Sequence, residues 1–155
     1  MLKFKTLLEP KMTSKSKLLL GAALLAGWIG LAAAQDADPT NMVRGGLQAI
    51  QLVDQGKIGE LWDGSGPATK KRVARPEFVR QVEASRSPLG AAQQRTWISV
   101  NRQLVANEDP DVAGQYINVE YETRFANAGN RVVREMTSFR LDPSGTWRLS
   151  GYVLR

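Results

Sequence analysis

After residue 94 the apolar residues stop recurring every three or four positions and begin to alternate with polar ones, almost to the last residue. A period of two is the repeat of a strand with one covered face. Three clusters of turn formers, "NEDPDVAG", "NAGN" and "DPSG", divide this part into four strands at roughly 95–106, 114–126, 131–142 and 145–154. Loops this short join neighbouring antiparallel strands, so the four form a meander. The helical signals all come earlier. Together they predict an α+β fold: N-terminal helices packed on one face of a curved four-stranded antiparallel sheet, a cone-shaped roll.

In the helical part, "MVRGGLQAIQLVDQGK" places Val43, Leu47 and Ile50 near one helical face, with a start at Thr40 or Asn41 and a stop at Gly56. Gly45 and Gly46 cost such a helix about 1 kcal/mol each relative to Ala, or let a neighbour pack close. "IGELWDGS" is a second, short helix offering Ile58, Leu61 and Trp62 to the core. Pro76 fits the first turn of a third, whose stripe is Phe78, Val79 and Val82 and which Ser87 to Gly90 ends.

Loop length proposes a register. With "ANAGN" as a loop, Phe125 faces Arg131 and Glu122 faces Arg134, and one face collects Ile117, Val119, Tyr121, Phe125, Val133 and Phe139. With "PSG" as a three-residue turn and Gly145 left-handed, Phe139 faces Leu149 and Leu141 faces Trp147. Trp147, Leu149, Gly151 and Val153 then join the same face, and the first strand adds Ile98, Val100 and Leu104. The same register sets Glu135 on that apolar side, level with Tyr121 and Val153. A lone buried carboxylate is costly, so it requires a partner; Arg102 and the Tyr121 hydroxyl are the candidates. Such a group is either a buried ion pair under the helices or the polar anchor, or proton acceptor, of a pocket. On the outer face, Tyr116, Arg140 and Arg148 lie in one row, Trp97 stacks with Arg124, and Met136 lies beside Tyr152. An aromatic outer face with two facing arginines invites a homodimer or another protein partner.

The net charge of +6 is concentrated at the front. Lys3, Lys5, Lys11, Lys15 and Lys17 precede an apolar run, Leu18 to Leu31, and a small-residue site at Ala32 to Ala34. This predicts a signal peptide over 1–34, with Met12 as an alternative start, cleaved after Ala34 to leave Gln35 and a periplasmic or secreted protein. A lead-in at 35–40 and a single domain at 41–155 follow. From Gln35 onward there are 16 basic and 14 acidic residues, so nucleic acid is not an expected partner and a membrane only through an uncleaved leader. The chain has neither cysteine nor histidine, which excludes disulfides, thiolate chemistry and histidine-based catalysis; no metal and no cofactor are expected.

Several segments together resemble one family of small exported bacterial proteins. "FVRQVEASRSPLG", "QQRTW", "DPDVAGQY", "YETRFAN" and "GTWRLSGYVLR" are similar to the domain-of-unknown-function family DUF4019, over roughly residues 41–155. The matching positions are Phe78, the "R-x-P-L-G" of Arg86 to Gly90, Glu135, and the closing "W-R-x-S-G-Y" of Trp147 to Tyr152; the loop departs from the usual "PGAPDGEY"-like form. The resemblance implies a roll similar to the nuclear-transport-factor-2-like (cystatin-like) superfamily, and brings no activity, substrate or cofactor. Three functions follow. One is a non-catalytic binding or assembly module, taking a small molecule in a pocket at Tyr121, Glu135 and Arg102, or a partner on the outer face at Tyr116, Arg140, Arg148 and Trp97. Another is an acid–base enzyme using Glu135. The last is an anionic-surface binder using the basic 70–86 region.

Overall fold

The computed structural model of the chain describes residues 37–155. The signal peptide expected at 1–34 lies outside the described residues. Four helices come first: α1 Pro39–Asp54, α2 Ile58–Asp63, α3 Pro67–Arg72 and α4 Arg75–Arg86, with a 3-10 turn at Ser87–Leu89. Four strands follow, β1 Ala92–Val105, β2 Gly114–Phe125, β3 Val132–Leu141 and β4 Trp147–Leu154. They lie in the order β1-β2-β3-β4, each pair antiparallel. The α+β meander is the architecture that the change of period predicts.

Local chemistry sets the helix bounds. α1 starts at Pro39 rather than at Thr40 or Asn41, because Asp38 is the cap: its carboxylate accepts the Thr40 N–H at 2.9 Å, and Pro39 occupies a first-turn site where an N–H is not needed. Gly56, just past the other end, holds φ +72° as expected of a stop. α3 is a short helix additional to the three predicted. One face of the sheet carries Ile117, Val119, Tyr121, Phe139, Leu149 and Tyr152 against Ala49, Ile50 and Val53 of α1, Ile58 and Leu61 of α2, and Phe78 and Val82 of α4. The glycine pair explains how α1 comes so near. A Cβ on Gly46 would stand 2.7 Å from Thr137 Oγ1 and 3.0 Å from the Tyr121 hydroxyl.

The hairpin registers agree with the loop arguments. Glu122 lies opposite Arg134, Phe139 opposite Leu149 and Leu141 opposite Trp147. Of three register shifts, one lies at the start of β1 between Ala92 and Gln94, and the other two correct the rest. In β4 the pairing passes from Phe139–Leu149 to Ser138–Gly151, which leaves Ser150 as the extra residue. Beyond it the inward residue is Tyr152, opposite Thr137, not Val153, which is exposed opposite Met136. The bulge sits where the β4 edge meets another segment: Gly66 N–H donates to the Leu149 carbonyl at 3.0 Å, and Thr69 Oγ1 lies 3.4 Å from the Ser150 carbonyl. In β1 the pairing passes from Trp97–Tyr121 to Ser99–Glu120, with Ile98 extra. Val100 and Arg102 face inward as expected, opposite Val119 and Ile117. Ahead of the bulge the phase reverses. Arg95 and Trp97 pair with Thr123 and Tyr121 and so belong to the inner side; Trp97 is therefore not an outer-face residue.

Candidate functional site

The inner face holds a charged cluster in the middle of its apolar residues. Glu135 is fully buried. Its Oε2 accepts from Arg95 Nε at 2.6 Å and from the Thr123 hydroxyl, and its Oε1 accepts the Tyr152 hydroxyl at 2.7 Å. Arg95 spans two acids: its Nη1 and Nη2 donate to the Asp54 carboxylate at 2.8 and 3.2 Å. Arg86 completes the set, donating Nη2 to Asp54 at 2.9 Å and Nη1 to the Gly90 carbonyl, with its guanidinium 4.3 Å from the Phe125 ring centre. Two guanidiniums and two carboxyls cancel in formal charge. Buried ion groups survive when each is paired and hydrogen-bonded; each charged group here has an opposite partner, and Arg86 Nε is left without an acceptor.

The environment moves the titrating groups in a consistent way. Burial pushes the Asp54 carboxyl up, but the hydrogen bonds and charges of Arg95 and Arg86 outweigh it and hold the group below its ordinary value. Burial, with the Glu135 charge and hydrogen bond added, raises the Tyr152 phenol far above its usual range. Tyr121 is raised to about 12, chiefly by burial. Its hydroxyl donates to the Val43 carbonyl of α1 at 2.6 Å.

Glu135 is thus in the predicted place with other partners. Arg95, rather than Arg102, reaches it, because the bulge at Ile98 turns Arg95 inward; Tyr152, rather than Tyr121, supplies the phenol, because the bulge at Ser150 turns Tyr152 inward. Arg102 lies further along β1, on the wall of a separate recess. The sequence carries a signal for both bulges that strict alternation misses. In "RTWISV" the step from Trp97 to Val100 is three residues, and in "RLSGYVL" the step from Leu149 to Tyr152 is three. Asp54 and Arg86, at the ends of α1 and α4, give no such sign.

On the outer face, Tyr116, Arg140 and Arg148 do form one row. The repulsion expected there is relieved from within the chain. Arg148 donates Nε to Asp142 at 2.8 Å, and Arg140 reaches the Pro110 carbonyl at 2.7 Å and that of Ala113 at 2.6 Å. The Ser144 hydroxyl above all, with the Thr146 N–H and Arg148, holds Asp142 well below the usual carboxylate range. Most of the basic 70–86 region is also paired locally. Lys70 donates to the Asp63 carbonyl at 2.6 Å, Lys71 meets Asp111 at 2.5 Å, Arg75 clasps Asp63 at 3.0 Å, and Arg80 meets Glu77.

A hollow lined by Asp54 and Arg86 adjoins the cluster, and another opening lies further along β1. A recess of about 610 Å³ lies between the start of α1 and the middle of β1, lined by Pro39, Met42, Trp97, Val100, Arg102 and Ile117 among others. Most of that wall is apolar, and Trp97 is 50% exposed.

Comparison with known proteins identifies a family. The family model described as "Protein of unknown function (DUF4019)" matches residues 46–152. That span takes in α1 from Gly46, the whole charged cluster and the β4 bulge. No curated protein matches the chain.

Proposed function

Starting from the chain's membership of the DUF4019 family, we propose that it is an exported, non-catalytic binding module that takes an apolar group of a small molecule in the recess between α1 and β1. The observation that carries this reading is Trp97. A tryptophan half exposed on a concave, largely apolar wall is a poor use of surface for stability alone and a good platform for a ligand. The charged leader, its apolar run and the Ala32 to Ala34 site support export. The order of helices and meander agrees with a nuclear-transport-factor-2-like roll.

The enclosure of Glu135 weighs against acid–base chemistry. A general base must come within hydrogen-bond reach of the proton it removes, and here three donors of the chain already surround a carboxyl with no exposed surface. Local pairing of Lys70, Lys71, Arg75 and Arg80 weighs against an anionic-surface site. The test is a titration of the processed protein with the fluorescent apolar probe 1-anilinonaphthalene-8-sulfonate. Saturable binding is expected, weakened about tenfold or more in Trp97→Ala, since a lost aromatic contact in a pocket costs more than 1 kcal/mol. Equal binding by both proteins would reject the recess. N-terminal mass analysis of the protein recovered from the cell envelope tests export, with Gln35 as the expected first residue.

A further inference from the structure

A second cavity, of about 600 Å³, lies away from the apolar recess, where α3 and α4 meet the ends of β2 and β3 and the edge of β4. Thr69, Arg72, Gln81, Asp111, Tyr116 and Arg140 stand on its wall with Glu77. The charges there do not balance. Asp111 is held by Lys71 at 2.5 Å, and Glu77 is held by Arg80 and by Gln81 Nε2 at 2.6 Å. The two arginines have no such counterpart. Arg140, half buried, spends Nε and Nη2 on the neutral carbonyls of Ala113 and Pro110, which orient its guanidinium without cancelling its charge. Arg148, next to it in the same row, does have its acid, Asp142. Arg72 has no hydrogen-bond or ion-pair partner among the described residues.

We infer that this cavity is a binding site for a small oxyanion-bearing molecule, with Arg72 and Arg140 as the charged contacts and the hydroxyl of Thr69 as a polar one. A carboxylate or phosphate oxygen is the group that two guanidiniums recognise, through charge-assisted hydrogen bonds stronger than neutral ones. The arrangement is preorganised. Lys71 ties the 106–113 loop to α3 through Asp111, and the same loop supplies the carbonyls that aim Arg140. Gly114 closes that loop at φ +141°, and a Cβ there would stand 3.2 Å from Arg140 Nε. The volume admits a small organic acid and is far too small for a polymer.

Nuclear magnetic resonance titrations with inorganic phosphate and with succinate, each at constant ionic strength against chloride, test the site. Saturable amide shifts are expected at Thr69, Arg72 and Ser150 with at least one probe, and the better probe tells phosphate from carboxylate. Arg72→Gln, at an exposed position with no side-chain hydrogen bond or ion pair to lose, should weaken binding about tenfold, the loss of one charged hydrogen bond. Lys57→Gln, with the same change in net charge but away from the cavity, should leave affinity unchanged. Arg140→Lys should also weaken binding, together with some loss of stability from its bonds to the Ala113 and Pro110 carbonyls. Shifts that fail to saturate, spread over all exposed lysines, or persist in Arg72→Gln would overturn the assignment. Because neither probe has an apolar body, failure here leaves the Trp97 recess unaffected.

Discussion

At the scale of single residues, the two adjacent glycines of α1 separate two physical effects. Gly46 faces Thr137 and Tyr121 with no room for a methyl group, whereas a Cβ at Gly45 would meet the Phe139 ring at an ordinary 3.5 Å. Gly46→Ala should therefore destabilise by about 1–3 kcal/mol through overpacking. Gly45→Ala should be neutral or stabilising by up to about 1 kcal/mol from helix propensity. Urea denaturation of the two variants checks the contrast. The tyrosines set the alkaline limit. Tyr121 has a folded pKa raised from 10.0 to about 12, so its contribution is complete below pH 10 and is lost as pH rises from there toward 12. Asp54 works the other way. Its folded value lies below the ordinary 3.8, so its contribution is complete above that pH and is lost as pH falls through the lowered value. Stability against pH should show both falls, and Asp54→Asn should flatten the acid one.

At the scale of elements, the strands were readable because half-buried strands impose a period of two, and the turns because Asn, Asp, Gly and Pro leave few alternatives. The pairing of Glu122 with Arg134 and of Phe139 with Leu149 followed from loop length alone. What strict alternation hides is the bulge, one added residue that reverses every later side chain. That single omission accounts for the expected placements of Trp97 outside and Val153 inside, and for Arg102 and Tyr121 as the partners of Glu135. The helix ends that bring Asp54 and Arg86 to the cluster were not legible, since no local pattern records which strands they meet. Deleting Ser150 tests how strictly the bulge is needed. Without the extra residue Gly151 still pairs with Ser138 and Tyr152 with Thr137, so the phenol keeps its inward place, while the contacts that Gly66 and Thr69 make at the bulge are disturbed. A dispersed, native-like amide spectrum with reduced stability is expected; loss of cooperative unfolding would show that the bulge is needed for its edge contacts and not only for the phase it sets.

At the scale of the whole molecule, the charged cluster joins six elements: α1 through Asp54, α4 through Arg86, and the four strands through Arg95, Thr123, Glu135 and Tyr152. None of these contacts is local; the Asp54–Arg95 pair alone spans 41 positions. Removing one partner of a buried pair leaves the other without compensation, at about 3–5 kcal/mol. Arg95→Ala should thus lower stability far more than Lys57→Ala on the surface, with calorimetry still showing one transition rather than two.

During synthesis, this arrangement delays any stable fold. When β3 has formed but β4 has not, Glu135 lacks its phenol donor, Phe139 lacks Leu149 opposite it, and the Ser65–Gly66 segment has no edge to join. Such a chain has a carboxyl short of one hydrogen-bond donor in an unfinished core, and no shorter stretch offers it a resting place. A nascent chain halted before Trp147 should stay fully sensitive to protease, and one extended past Leu154 should become resistant within a single step.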